Sequence, residues 1–145
     1  KRGRDKAGLK DSEEKRARKA QALGAWNPKA LIVKGAQQEE NCSLVLFYQY
    51  VEPLWSESRR QEAMDTVTKL GGKLNLGGRV RIAREGFNAT VSGTFDAVRE
   101  FAKELGNFDK HFLETDFKYI DDLHPDKAFK DLKVFSVAEL VFYGF

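Results

Sequence analysis

From residue 43 onward the apolar positions switch between two spacings. Leu44, Val45, Leu46, Phe47, Tyr48, Tyr50 and Val51 form a dense run of β-formers. This predicts a strand buried on both faces and therefore central in a sheet, ended by Glu52-Pro53. Ser56 or Ser58 can cap a helix to about Leu70, with Ala63, Met64, Val67 and Leu70 on one face and Gly71-Gly72 as its stop. Leu74 and Leu76 lead into a second alternating stretch. There Val80 and Ile82 share one face of a strand, and Arg79, Arg81, Ala83 and Glu85 share the other. A return strand after Glu85 makes a tight hairpin, with Gly86 at the reversal in a φ > 0 conformation. Thr94 caps a second helix carrying Phe95, Val98, Phe101, Ala102 and Leu105 at helical spacing, with Gly106-Asn107 as its stop. Phe117, Tyr119 and Ile120 predict a strand broken by Asp121-Asp122-Leu123-His124-Pro125. Leu132, Val134, Val137, Leu140 and Val141 predict one last strand or two short ones.

Strand–helix–strand–strand–helix–strand is the split βαβ order, and right-handed crossovers put both helices on one face of an antiparallel sheet. The expected fold class is therefore α+β, a ferredoxin-like βαββαβ sandwich over residues 42–145. Residues 1–41 read as a basic extension and linker. Up to about Ala22 they are charged and lack an apolar stripe; Leu31-Ile32-Val33 form an apolar island behind Asn27-Pro28, and Gly35 opens a polar stretch.

Charge sharpens this division. Residues 1–40 hold eleven Lys or Arg against six Asp or Glu, a balance of +5, while the remainder holds fourteen against sixteen, a balance of −2. The cluster Lys15, Arg16, Arg18 and Lys19 lies in the extension. A hydrophobic fraction of 41% with eleven Phe suffices for one core, and no apolar run is long enough for a membrane-spanning helix, so no membrane insertion is expected. Cys42 is the sole cysteine, which excludes an internal disulfide and fits an intracellular reducing compartment, cytoplasm or organelle matrix.

Chemistry is sparse. Cys42 leads into a strand, without the loop of backbone N–H groups that would stabilise a nucleophilic thiolate. The loop after the first strand, Val51-Glu52-Pro53-Leu54-Trp55, offers a carboxylate and a proline where an acylphosphatase needs an Arg and phosphate-cradling donors. His111 and His124 lack metal-ligand spacing, and Asp121, Asp122, His124 and Asp126 read as a solvated loop. No catalytic residue, metal or cofactor is assigned. Arg79 and Arg81 share a strand face, and Arg84 alternates away from them; with Phe47, Tyr48 and Tyr50 on a neighbouring strand, the three arginines are candidates for RNA contact (tRNA or rRNA), as is the Lys15–Lys19 cluster. The third-strand aromatic signature of an RNA-recognition motif is absent.

The segment Gly78-Arg79-Val80-Arg81-Ile82-Ala83-Arg84-Glu85-Gly86-Phe87-Asn88-Ala89-Thr90-Val91-Ser92-Gly93 resembles the signature of the N-terminal domain of a rhodanese-type family. That family includes bacterial tRNA uridine 5-hydroxylases and eukaryotic thiosulfate-sulfurtransferase-like proteins. Leu46-Phe47-Tyr48-Gln49-Tyr50, Leu132-Lys133-Val134 and Glu139-Leu140-Val141-Phe142-Tyr143-Gly144 extend the likeness over 42–145. The resemblance implies that the catalytic cysteine belongs to a rhodanese domain outside this sequence. It also implies that Glu85, Gly86, Asn88 and Gly93 shape the hairpin, Asn88 by capping the turn. Phe87 stands where the family more often has an aliphatic residue. Two readings result. One is a non-catalytic accessory domain of a tRNA-modifying or sulfur-transfer protein, binding RNA, a rhodanese domain or other subunits. The other is a structural subunit of a large assembly such as a ribonucleoprotein, anchored by the basic arm.

Overall fold

The structure, a computed structural model, describes residues 30–35 and 39–140. Strands β1 (Ala30–Val33), β2 (Cys42–Tyr50), β3 (Gly77–Ala83), β4 (Gly86–Gly93), β5 (Lys118–Leu123) and β6 (Leu132–Ser136) form one six-stranded sheet in the order β1-β6-β3-β4-β2-β5. Helix α1 (Glu57–Leu74) joins β2 to β3, and α2 (Phe95–Phe108) joins β4 to β5. The four strands β3-β4-β2-β5 and the two helices are the expected ferredoxin-like unit, with antiparallel pairing throughout. The sheet as a whole is mixed, because β6 adds parallel to β3. The apolar island Leu31-Ile32-Val33 then pairs antiparallel with β6 as the outermost strand. Expectations for residues 1–29 and for Val141 and beyond lie outside the described residues.

Several local expectations change for identifiable reasons. Helix α1 runs through Gly71-Gly72 and ends where Asn75 takes a left-handed conformation (φ 53°), its N–H reaching the Gly71 carbonyl. Gly71 serves packing: a Cβ there would lie 2.4 Å from Leu132 Cδ2, so its absence lets α1 settle on β6. Helix α2 likewise continues past Gly106-Asn107 to Phe108, and extended Asp109 caps it through an N–H bond to Leu105. Strand β5 is bent rather than broken at Asp121-Asp122, since Asp122 adopts φ 60° and the register against β2 shifts between Cys42 and Leu44, a bulge.

Both helices cover one face of the sheet. Beneath them lies an apolar core with an aromatic centre: Phe47 meets Phe101, Phe112 and Phe117 at centroid distances of 6.2, 6.3 and 4.7 Å. Phe87, fully buried, packs edge-on against Trp55 (5.8 Å) and Phe112 (4.9 Å), which explains how an aromatic ring fits this position of the hairpin. The opposite face is largely uncovered among the described residues. Strand β2 is central as expected, yet it is buried on one face only; Leu44 and Leu46 are half-buried, while Tyr48 and Tyr50 are 67% and 44% exposed. A small second cluster of Ala83, Phe135, Val137 and Leu140, with Ala30 against it, covers the end of this face next to the hairpin tip.

Candidate nucleic-acid interface on the open sheet face

The hairpin sets the geometry of this face. Its chain reversal is Arg84-Glu85, and Gly86 is the first residue of β4, paired with Ala83. Gly86 has φ +130°, and a Cβ there would stand 1.9 Å from the Gln49 carbonyl oxygen, so both its conformation and the approach of β2 require glycine. Glu85 is half-buried and works as a clasp. Its Oε1 accepts the Leu140 N–H at 2.6 Å and its carbonyl accepts the Val51 N–H at 3.0 Å. Gly93 faces Leu76 and Ala97 at the far end of β4. Asn88 does not cap the turn. It lies inside β4, paired with Arg81 on one side and Tyr48 on the other, which places it on the open face.

Strand alternation and register bring Arg79 and Arg81 onto that same face. Arg79 pairs with Thr90, which pairs with Leu46, which pairs with Lys118; on the other side Arg79 pairs with Lys133 and Lys133 with Ile32. One transverse row therefore reads Lys118–Leu46–Thr90–Arg79–Lys133–Ile32. The next row towards the hairpin tip reads Tyr48–Asn88–Arg81–Phe135, with the Arg81 guanidinium 6.0 Å from the Phe135 ring centre. Among the described residues no carboxylate pairs with Arg79, Arg81 or Lys133; Lys118 pairs with Asp116 at 2.9 Å. The tyrosines named from the sequence do reach this surface. Phe47 points the other way into the core, because alternation separates it from Tyr48.

Arg84 is not part of these rows. It sits at the tip, where its Nε donates to the Trp55 carbonyl at 2.7 Å and its own carbonyl accepts the Trp55 N–H at 2.8 Å. The backbone N–H groups of Val51 and Trp55 are thus committed to the hairpin turn, which leaves the loop after β2 without those donors for a phosphate. Lys15, Arg16, Arg18 and Lys19 lie outside the described residues. Lys118 and Lys133 join this face without any motif in the sequence to mark them. Each is the polar member of an alternating triplet, Phe117-Lys118-Tyr119 and Leu132-Lys133-Val134, so its side was legible, but its place beside Arg79 needed the strand order.

The other chemically suggestive groups are spent on structure. Cys42 is buried; its Sγ–H points at the His124 carbonyl at 3.7 Å, and burial, with the charge of Asp126, pushes the thiol up from its usual range. Asp121 accepts from Ser43 (2.6 Å) and from both terminal nitrogens of Arg99 (3.0 and 2.9 Å), which hold its carboxyl below the ordinary value. Asp122 accepts from Asn41, and His124 contacts Asp126. Asp109 collects the His111 ring (2.6 Å) and backbone N–H (2.9 Å), the Trp55 indole (3.1 Å) and Arg59 (3.3 Å). Burial pushes its carboxyl up, but the bonds from His111 and Trp55 and the His111 charge together hold it below the usual range. Among the described residues no three His, Cys, Asp or Glu gather as a metal site, and no helix is long and apolar enough to cross a membrane.

Fold and surface together define a ferredoxin-like α+β domain with one helix-covered face and one open face that carries aromatic rings and the Arg79, Arg81 and Lys133 cations, with Glu114 and Asp116 beside Lys118 and Tyr48 at its β5 end. Residues 42–140 match the UPF0176 acylphosphatase like domain, and the chain belongs to this family. It is similar to a tRNA uridine(34) hydroxylase of Oceanobacillus iheyensis, with 31% identity over 72% of the chain and 30% of that protein. It is also similar to the tRNA uridine(34) hydroxylase of Lactococcus lactis subsp. cremoris, with 38% identity over 68% of the chain and 28% of that protein. The chain thus spans less than a third of the length of these relatives.

Proposed function

We propose that this chain is a non-catalytic accessory domain of a rhodanese-type tRNA-modifying or sulfur-transfer protein, acting in an intracellular reducing compartment and supporting RNA binding through its open sheet face. One observation carries the reading: four cations, Lys118, Arg79, Arg81 and Lys133, converge from three strands onto one face, and three of them have no carboxylate partner among the described residues. Unpaired cations on a sheet suit an anionic polymer, because phosphate contacts release counterions and dominate affinity. The names of the relatives supply the polymer, tRNA. The test is fluorescence anisotropy of the whole chain with labelled tRNA across a salt series. Arg79→Glu with Arg81→Glu is expected to weaken binding and to flatten its salt dependence while leaving the melting temperature unchanged. Wild-type affinity and slope in that double variant would overturn the reading.

The charge asymmetry of the chain favours a second reading, a structural subunit of a ribonucleoprotein held by its arm. Deleting residues 1–22 removes nine basic and four acidic residues and takes the net charge from +3 to −2. Loss of RNA binding on that deletion, with the Arg79/Arg81 variant binding normally, would favour the arm.

A further inference from the structure

We infer that the open face takes a single-stranded RNA segment lying across the strands, its sugar–phosphate backbone along Lys118–Arg79–Lys133 and its bases over Tyr48 and Asn88. This rests on the RNA-binding reading above and adds to it the class of RNA and the direction in which it lies.

The register supplies the direction. From Lys118 on β5 to Arg79 on β3 the row crosses β2 and β4, a span of about 14 Å at the usual strand spacing, and Lys133 is one strand further. The cations therefore form a line perpendicular to the strands. The row holding Tyr48 and Asn88 is displaced by two residues along the strands, about 7 Å, comparable to the offset of a base from its phosphate. Tyr48 is 67% exposed, and its ring is braced by Tyr50 at 5.9 Å and 67° between planes, so one π-face can receive a base without reorganisation. Asn88, beside it, carries the amide donor and acceptor needed for a base edge. On the far side, Ala83, Phe135, Val137 and Leu140 close the hairpin end of the face and leave the ligand a one-sided track.

An exposed ring can be used only by an unpaired base. In an A-form duplex the bases are stacked and the deep groove keeps side chains out, so a duplex would engage the cation row and leave Tyr48 idle. A protein partner fits less well, since the centre of a protein–protein interface is depleted of lysine and this face carries both Lys118 and Lys133.

The experiment uses the whole chain, a labelled oligouridine strand and an RNA duplex of equal length, in anisotropy titrations over a salt series. The expected result is preference for the single strand. Tyr48→Ala should weaken single-strand binding about fivefold or more without altering the salt slope, and Tyr48→Phe should restore it. Lys118→Gln, Arg79→Gln and Lys133→Gln should each lower the slope by about 0.7, the value per phosphate contact for a single strand, whereas Lys103→Gln on the surface of α2 should not. Equal affinity for duplex, or an unchanged Tyr48→Ala, would overturn this inference; if Arg79→Gln still lowered the slope, RNA binding by the face would stand without it. Absence of binding to either RNA would overturn both.

Discussion

Phe47 and Tyr48 are neighbours in one strand, and they belong to different worlds. Phe47 touches three rings in the core beneath the helices; Tyr48, one peptide on, stands two-thirds exposed in the row next to a line of cations. The same division runs through β3, where Val80 and Ile82 are fully buried while Arg79 and Arg81 face outward. One face of the sheet has been spent on stability, because the helices supply apolar surface for it to bury. The other keeps groups that would be costly to bury unpaired, which is tolerable only where water or a ligand can reach them.

Both faces of the sheet depend on the hairpin, so its loss should have the largest effect. Gly86→Val should cost about 3–6 kcal/mol, combining left-handed backbone strain with a clash against the Gln49 carbonyl, and a chemical denaturation curve would show it. A melting temperature within a degree of wild type would mean the turn is misplaced.

The sharpest test of two-sidedness is the adjacent pair. Phe47→Ala should lose about 3–4 kcal/mol, whereas Tyr48→Ala should stay within about 0.5 kcal/mol. Comparable losses at the two positions would show the open face to be covered.

Asp109 is the polar exception on the helix side. Its carboxyl is held below the unperturbed value of 3.8, so it stabilises the fold above that pH, and the contribution is lost as pH falls through its lower folded value. Asp109→Ala should cost about 1.5–3 kcal/mol at neutral pH, through the stranded Trp55 indole and His111 ring, and progressively less in acid. A penalty independent of pH would assign the effect to packing alone.

The smallest effect is kinetic. Cys42 is buried and its thiolate disfavoured, so a thiol reagent at neutral pH should modify it slowly in the native protein and at the free-cysteine rate once the chain is unfolded. Rapid native modification would mean that the end of β2 opens readily.

Much of this was legible in one dimension. Apolar spacing located both helices and the four strands of the ferredoxin-like unit, because 3.6- and two-residue periods are imposed by backbone geometry before any tertiary contact forms. Thr94 marked one helix start and Ser56 or Ser58 the other, since a side-chain oxygen answering a backbone N–H in the first turn is a local matter; the structure selects Ser56, which accepts the Arg59 N–H. Alternation alone also put Arg79 and Arg81 on one face. Other features needed contacts between distant segments. Gly71 and Gly106 read as stops because glycine usually ends helices, but Gly71 is there for the approach of Leu132, sixty-one residues away. The strand Ala30–Val33 has no partner until β6 offers its edge. Lys118 and Lys133 each showed their side of a strand, yet only the order β6-β3-β4-β2-β5 sets them in line with Arg79. Periodicity is a property of the chain's own geometry, whereas neighbourhood across a sheet is a property of how the strands are ordered, and no local spacing encodes that order.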